Sequence, residues 1–331
     1  MSKALSAGVY PRKLSKQIMK AKTLLFGAGQ GSLKMKVNLS GEHEFIGYLD
    51  NDESKIGSTF GGLPVYSPLF LDHLEFDKII ISTQWALPVE QQLIHEMGVS
   101  PDKIVLPQKK QLKNLEPFSN PKSLQLGRNI IVRLNQLAIQ SNIPLVIDFG
   151  TLLGIVRDQA IIPWDDDIDF SAPVEYAQAV EKILADFCEQ STEEVNWKIT
   201  ALQDENHNIA GYCLDFDDPQ QTISNFTTSL CFRRNYNGNA EHLPSLGMWY
   251  APQHHFDQAT GHNWLGQPIQ VPNQHQDYLS FVYGDWRKPK KDMQLSDYAH
   301  LQDVKFEAVK YAKFSSHKVS THSEADNKQS Q

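Results

Sequence analysis

Between Gly150 and Phe170 the chain reads GTLLGIVRDQAIIPWDDDIDF, the stretch whose residue types are best equipped for chemistry. Asp165, Asp166, Asp167 and Asp169 place four carboxylates within five positions. Charges at that density repel one another, and a fold seldom bears the cost unless cations sit among them. From Asp165 to Phe170 the pattern alternates enough to read as a strand. Asp165, Asp167 and Asp169 then share one face, while Asp166, Ile168 and Phe170 take the other. Ile168 and Phe170 anchor such a strand in a core and leave Asp167 and Asp169 projecting together. Hard oxygen ligands suit Mg²⁺, which keeps several waters and is usually held by one or two carboxylates plus substrate phosphates. The bland alternative is a solvated acidic turn or a Ca²⁺ loop without catalytic consequence. An EF-hand does not fit, because the Gly at its sixth position and the Glu at its twelfth are missing.

The elements that must position these acids are legible on either side. Pro144 to Phe149 is an apolar run suited to a buried strand, and LLGIVR after Gly150-Thr151 has helical spacing. A strand entering a helix through Gly and Thr turns free backbone N–H groups and a partial positive charge outward, which makes a phosphate seat. Arg157 adds a candidate bidentate phosphate contact. A phosphate seat beside paired aspartates is the minimum equipment for metal-assisted phosphoryl transfer. Upstream, Ser123 to Gln140 carries Leu124, Ile130, Ile131, Leu134, Leu137 and Ala138 at helical spacing and predicts an entry helix.

GTLLG, Arg157 and Ile162-Pro163-Trp164-Asp165-Asp166-Asp167-Ile168-Asp169 resemble the signature of LicD-type transferases, a family that includes bacterial phosphocholine transferases and fukutin-related proteins. About a hundred residues on, Val271-Pro272, Tyr278-Leu279, Tyr283-Gly284-Asp285-Trp286 and Pro289 are similar to its C-terminal block. The resemblance spans roughly residues 124 to 290 and implies a nucleotidyltransferase-like α+β fold. It implies transfer of phosphocholine, phosphoethanolamine or a polyol phosphate from a CDP-activated donor to a hydroxyl of a glycan or glycolipid acceptor, such as lipopolysaccharide or capsule. Carried over by position, Gly150 and Thr151 match the phosphate-binding turn, Asp167 and Asp169 the Mg²⁺ pair, Asp165 a further acid and Arg157 a phosphate contact. A third carboxylate on a later strand commonly completes such sites. Asp215 or Asp217 in Tyr212–Asp217 is the candidate, Asp215 as general base, unless the equivalent strand is Ser229-Leu230-Cys231-Phe232, which lacks an acid. Two other functions stay open: transfer of the nucleoside monophosphate itself, and a non-catalytic binding or assembly protein. Tyr283 to Trp286 reads as a turn packed under the core, with an acceptor platform as the sharper alternative. His254, His255 and His262 read as surface or packing residues. Arg233-Arg234 and Arg287, Lys288, Lys290 and Lys291 read as solvated charge, with an anionic ligand as the alternative.

The amino-terminal part reads as a separate unit. Apolar strands are expected at Thr23–Phe26, Phe45–Asp52, Lys78–Thr83 and Lys103–Pro107, with a helical segment from Pro88 to Met97. Strands alternating with helices predict a parallel sheet. Gly27-Ala28-Gly29-Gln30-Gly31 follows the first strand, and Asp50 lies near the spacing at which a Rossmann acid meets a ribose. FGAG, GYLDND, Lys55-Ile56-Gly57 and Gly61-Gly62-Leu63-Pro64-Val65 together resemble the Rossmann-like domain on sugar-modifying acyltransferases. The resemblance implies a nucleotide-sugar or dinucleotide ligand held by Gly27, Gly29, Gly31 and Asp50, the alternatives being a scaffold or an oligomerisation module. The expected fold class is therefore α/β followed by α+β, with units at 1–118 and 119–314 and a disordered polar tail at 315–331.

Global properties fit that plan. A chain of 331 residues suits about two domains. Its formal charge of −8 argues against broad nucleic-acid binding, where a basic patch is expected. Cys188, Cys213 and Cys231 show no CxxC pattern and cannot all pair, as in a reducing compartment. There is no run of about 20 apolar residues, and the basic start has no secretory apolar core. The expected location is cytoplasmic, extending to the inner membrane surface where glycolipid precursors are built.

Overall fold

The computed structural model describes residues 20–83, 86–106, 116–204, 206–291, 298, 301 and 314–319. The first unit alternates strand and helix through β1 (Ala21–Phe26), α1 (Gln30–Asn38), β2 (His43–Leu49), β3 (Thr59–Phe60), β4 (Leu63–Tyr66), β5 (Lys78–Ile81), α2 (Ala86–Gln91) and β6 (Ile104–Val105). Its sheet runs β3-β4-β2-β1-β5-β6, parallel except for the β3–β4 pair. Runs such as Leu24-Leu25-Phe26 and Ile79-Ile80-Ile81 are buried throughout because both faces are covered. Leu24, Phe26, Ile79 and Ile81 join one cluster, and Leu25, Ile80 and Tyr48 join the other. The expected helix from Pro88 begins at Ala86 and passes into a π-turn over Gln92–Glu96. The small β3–β4 pair was not foreseen, its strands being too short for a periodic signal.

The second unit opens with α3 (Pro121–Gln140), two residues ahead of the expected entry helix. Asn120 caps it, its side chain accepting from the N–H groups of Lys122 (2.9 Å) and Ser123 (3.5 Å), and Pro121 takes the first helical position. Phe118, just ahead of the expected start at 119, already packs in this unit's core. There follow β7 (Val146–Ile147), α4 (Phe149–Asp158), β8 (Asp167–Pro173), α5 (Ala177–Gln190), β9 (Asn196–Gln203), β10 (Ile209–Asp217), β11 (Thr227–Tyr236), β12 (Asn239–His242) and β13 (Tyr250–Pro252). A hairpin, β14 (Ala259–Trp264) and β15 (Gln267–Pro272), leads to α6 (His275–Tyr283).

The first half of β11 lies between β8, which runs parallel to it, and β10, which runs antiparallel. From Arg233 onward it also pairs with β12. Ile168, Phe170, Leu230, Phe232 and Leu214 fill the core, while the alternate positions turn to the opposite face. The expected disordered tail at 315–331 is corrected in part. Ser315–Lys318 form β16, an edge strand on β9, and Val319 N–H donates to Ile199 O at 3.0 Å. Backbone pairing needs no apolar side chains, so an exposed polar segment can form such an edge. Residues 320–331, the basic start and most of the Pro107–Ser123 linker lie outside the described residues. Among the described residues no helix is long and apolar enough to cross a membrane.

Candidate active site

β7 is followed by Asp148, whose extended backbone makes it the N-cap of α4. The expected strand over Pro144–Phe149 is thus shorter, and the helix starts ahead of Gly150-Thr151. Phe149 takes a left-handed φ of 45°, a conformation costing a non-glycine residue on the order of 1–3 kcal/mol. The helical ladder begins with Leu152 N–H donating to Asp148 O, and Phe149 N–H donates to the Asp148 carboxylate at 2.7 Å. The N–H groups of Gly150 and Thr151 stand outside that ladder.

Asp148 is completely buried, and its carboxylate gathers donors from three distant elements. The Ser171 hydroxyl donates at 2.5 Å and Arg233 Nη2 at 2.6 Å, and the Tyr278 hydroxyl donates as well. Burial alone would raise this carboxyl, but the Arg233 guanidinium and the two hydroxyls outweigh it and hold it below the usual carboxylate range. Arg233 is itself buried, donates from Nη1 to Ala240 O at 3.2 Å, and stacks on Phe256 and Phe149. The expectation of solvated charge at Arg233 is therefore corrected, whereas Arg234 is exposed and pairs with Glu241. The network fixes the strand-to-helix turn from behind.

The acids meet in front of that turn. Asp167 and Asp169 sit on the partly exposed face of β8, and Ile168 and Phe170 on the buried one, as the alternation predicts. The strand, however, begins at Asp167 and not at Asp165, so Asp165 and Asp166 lie in the turn before it. Asp166, expected on the opposite face, instead joins the cluster: carboxylate oxygens of Asp165, Asp166 and Asp167 lie within 4.8 Å of one another. Asp165 rests on the start of α4, and a methyl group added to Gly150 would overlap its Oδ2. Gly154, one turn on, lets the returning loop approach, since a methyl there would lie 2.6 Å from Ala160 O. Burial, then the charges of Asp167, Asp165, Asp148 and Asp166, push the Asp169 carboxyl well above its ordinary value. Clustered carboxylate oxygens are hard ligands of the kind that suit a divalent cation such as Mg²⁺. The carboxylates that come within 4.8 Å of one another are those of Asp165, Asp166 and Asp167, with Asp169 two residues on along β8 lining the same cleft.

A cleft of about 540 Å³ opens over these acids, with Phe149, Gly150, Trp249, Tyr283, Tyr298 and His242 along its walls. Trp249 packs edge-on against both Phe149 (5.6 Å between centroids) and Tyr298 (4.7 Å). Tyr283 therefore lines the cleft, while Trp286 is buried and Asp285 pairs with Lys288 at the surface. Of the histidines that drew notice, His255 is buried against Asn273 O and His254 stacks on it. His242 carried no signal in the sequence because nothing around it is periodic.

Three expected residues stand elsewhere. Thr151 is buried, and its hydroxyl accepts from the Asp169 N–H at 2.9 Å, so it braces β8. Arg157 lies seven residues along α4 from Gly150, about 10 Å by helical rise, and is bound to Asp158 at 2.6 Å. The guanidinium faces its sequence neighbour and not the cleft. Asp215 accepts from the Thr227 hydroxyl at 2.8 Å and does not line the cleft. Its strand β10 is separated from β8 by β11, and the residue paired with Asp169 across that boundary is Ser229. The strand beside the aspartates is the acid-free alternative.

In the first unit, Gly27 has φ 109°, and Gly29 caps α1. A methyl group added to Gly31 would meet only Ser82 O, at 4.0 Å, so no close packing demands a glycine there. The Asp50 carboxylate accepts from Ala28 N–H at 2.8 Å, from Asp52 N–H at 2.9 Å and from Lys55 at 3.2 Å. It ties the glycine turn to the end of β2.

Residues 142–274 match the family model of the LicD/FKTN/FKRP nucleotidyltransferase domain, and residues 19–105 match C2185-like, N-terminal. The second unit is thus a LicD-type nucleotidyltransferase-like domain. Uncharacterised proteins of Rickettsia prowazekii and Rickettsia typhi are each 39% identical over 70 residues, 21% of this chain. The match spans only 26% and 22% of those curated relatives' lengths. Among solved structures, UDP-D-quinovosamine 4-dehydrogenase from Vibrio fischeri is 25% identical, covering 31% of this chain and 87% of that one, with a TM-score of 0.23. ANT(2")-Ia in complex with adenylyl-2"-tobramycin is 19% identical, covering 47% and 76%, with a TM-score of 0.29.

Proposed function

We propose that the second unit transfers a phospho-substituent (phosphocholine, phosphoethanolamine or a polyol phosphate) from a CDP-activated donor to a hydroxyl of a surface glycan such as lipopolysaccharide or capsule. The observation that carries this is the convergence of four aspartates on the start of α4, in a cleft walled by aromatic rings. The match to a LicD-type domain supports the transferase class. Asp167 and Asp169, with Asp165 beside them, would hold Mg²⁺, which when bound neutralises the donor phosphates as charge develops on the leaving group. The Gly150 N–H and the positive end of α4 would face the same phosphates. Asp148, fixed by Arg233, Ser171 and Tyr278, holds the turn that aims them. The walls of Phe149, Trp249, Tyr283 and Tyr298 exclude water and present π-faces to a cationic head group or a sugar. Arg157 has no part in this scheme; Asp215, which accepts from Thr227, the residue paired with Asp167, would be the nearest candidate for the base that takes the acceptor hydroxyl's proton. The description of the matched family as a nucleotidyltransferase domain favours a second reading, transfer of the nucleoside monophosphate itself.

The test is a panel of CDP-choline, CDP-ethanolamine, CDP-glycerol and CDP-ribitol, each with and without Mg²⁺. Melting temperature is followed first, then products with an acceptor glycan. Release of CMP, with the substituted phosphate left on the glycan, supports phospho-substituent transfer. Release of the free phosphomonoester (phosphocholine, phosphoethanolamine or the polyol phosphate), with CMP left on the acceptor, supports the second reading. Absence of stabilisation by any CDP compound would exclude the donor class. For the first unit the proposal is a nucleotide-sugar or scaffold role; Asp50, engaged with the glycine turn, would have to release Ala28 N–H to meet a ribose.

A further inference from the structure

His242 ends β12 directly opposite Arg233 in the β11–β12 ladder. Its backbone is held from several sides. The N–H donates to Trp249 O at 2.9 Å, and the carbonyl accepts from Gly247 N–H at 3.1 Å and the Ser245 hydroxyl at 2.9 Å. The ring stands edge-on to Phe149, the residue that opens α4, with centroids 5.5 Å apart. The side chain is 8% exposed and lines the cleft, yet its Nδ1 is enclosed without any partner.

A polar ring so enclosed ordinarily has its hydrogen bonds satisfied. An orphaned N–H is also rarer in proteins than an orphaned acceptor. The cheaper tautomer therefore leaves Nδ1 bare and puts the proton on Nε2, the polar atom the ring has left to offer the cleft. Burial, and after it the charge of Arg233, push the imidazole down to about 3, so the ring is neutral at physiological pH. With its proton on Nε2 the ring has no lone pair to present, so it cannot act as the base. The groups it can serve are oxygens arriving at the start of α4, where the phosphates of the proposed donor would lie.

We infer that His242 is a substrate-binding residue whose neutral imidazole donates from Nε2 to an oxygen of the substituted phosphate seated at the start of α4. This rests on the donor assignment proposed above. Glutamine can place an amide N–H near the position of Nε2, and asparagine near that of Nδ1, so the two amides separate the atoms. The experiment measures Mg²⁺-dependent binding of the CDP compounds by calorimetry, and kcat and KM where turnover is found, for native protein, H242Q, H242N and H242F.

H242F and H242N are expected to bind the donor roughly tenfold or more weakly, in the range for a hydrogen bond to a charged group. H242Q is expected to stay within about threefold, since it keeps the donor. Long-range ¹H–¹⁵N NMR of the metal-free protein is expected to show the Nε2–H tautomer, unchanged from pH 5 to 8. Native-like binding by H242F, rescue by asparagine in place of glutamine, or an Nδ1–H or doubly protonated ring at pH 6 would each overturn the inference and leave the donor assignment standing. A native protein that binds none of the CDP compounds would overturn both. Should H242F fail to fold, the contrast between the two amides still decides.

Discussion

Gly150 is small for the sake of Asp165. The carboxylate lies where a side chain on residue 150 would go, so the acid cluster can close over the start of α4 only if that side chain is absent. Gly150→Ala is expected to displace Asp165, weaken Mg²⁺ binding about tenfold and lower turnover by at least as much, with the melting temperature changed little. Calorimetric titration with Mg²⁺ checks this, and native affinity in the variant would show that Asp165 holds no metal. The aspartates themselves should behave in the opposite way toward stability. Four close carboxylates repel one another, so Asp167→Asn or Asp169→Asn should leave the metal-free fold as stable or slightly more so while abolishing transfer. Added Mg²⁺ should raise the melting temperature of the native protein and not of these variants. Transfer that survives in either one would remove the metal assignment.

At the scale of elements, the decisive arrangement is the strand-to-helix turn and the network behind it. Asp148 is paired and hydrogen-bonded in the folded state and held below its ordinary value, so its stabilisation is whole above the unfolded carboxyl's pKa of about 4 and is lost as pH falls through the lower folded value. The native melting temperature should therefore fall steeply below about pH 4, and that of Asp148→Asn, already lower at pH 7, should fall less. Arg233→Met leaves Asp148 buried and unpaired and is expected to cost about 3–5 kcal/mol by denaturant unfolding. A cost under about 1 kcal/mol would mean the pair is not buried as described. The alternation of Asp167, Ile168, Asp169 and Phe170 was legible because a strand's period of two sorts acid from core without any other knowledge. Arg233 was not, because strand pairing brings it to Asp148 across 85 positions, and no local pattern records that. Arg157 misled for a related reason. Its type suits phosphate, but its place at the end of α4 turns it to Asp158, and helical rise carries it away from the seat. Asp215 showed the alternation, but its strand lies one beyond the neighbour of β8, a distance no local pattern records because order within a sheet is not sequence order.

Over the whole molecule, the described residues form separate cores, one built on the sheet of β7 to β13 and the others on the two faces of the amino-terminal sheet. Strand and helix order announced the α/β class of the first unit, because an alternating β and α pattern with doubly buried strands admits few arrangements other than a parallel sheet. The α+β class of the second came instead from the resemblance to LicD-type transferases. The acid cluster and the aromatic walls belong wholly to the second unit, so a CDP donor with Mg²⁺ should act on that unit's unfolding alone. Calorimetry of the full chain is expected to show two transitions, of which one moves with donor. At a free concentration about a hundred times Kd the ligand adds ~2.7 kcal/mol, which for a unit of this size raises its midpoint by roughly 5–10 °C. The other transition should stay within about a degree, and Asp167→Asn should cancel the shift. If both transitions rose together, or a single one moved as a whole, the units would be energetically coupled, and the amino-terminal sheet would have to be counted as part of the donor site.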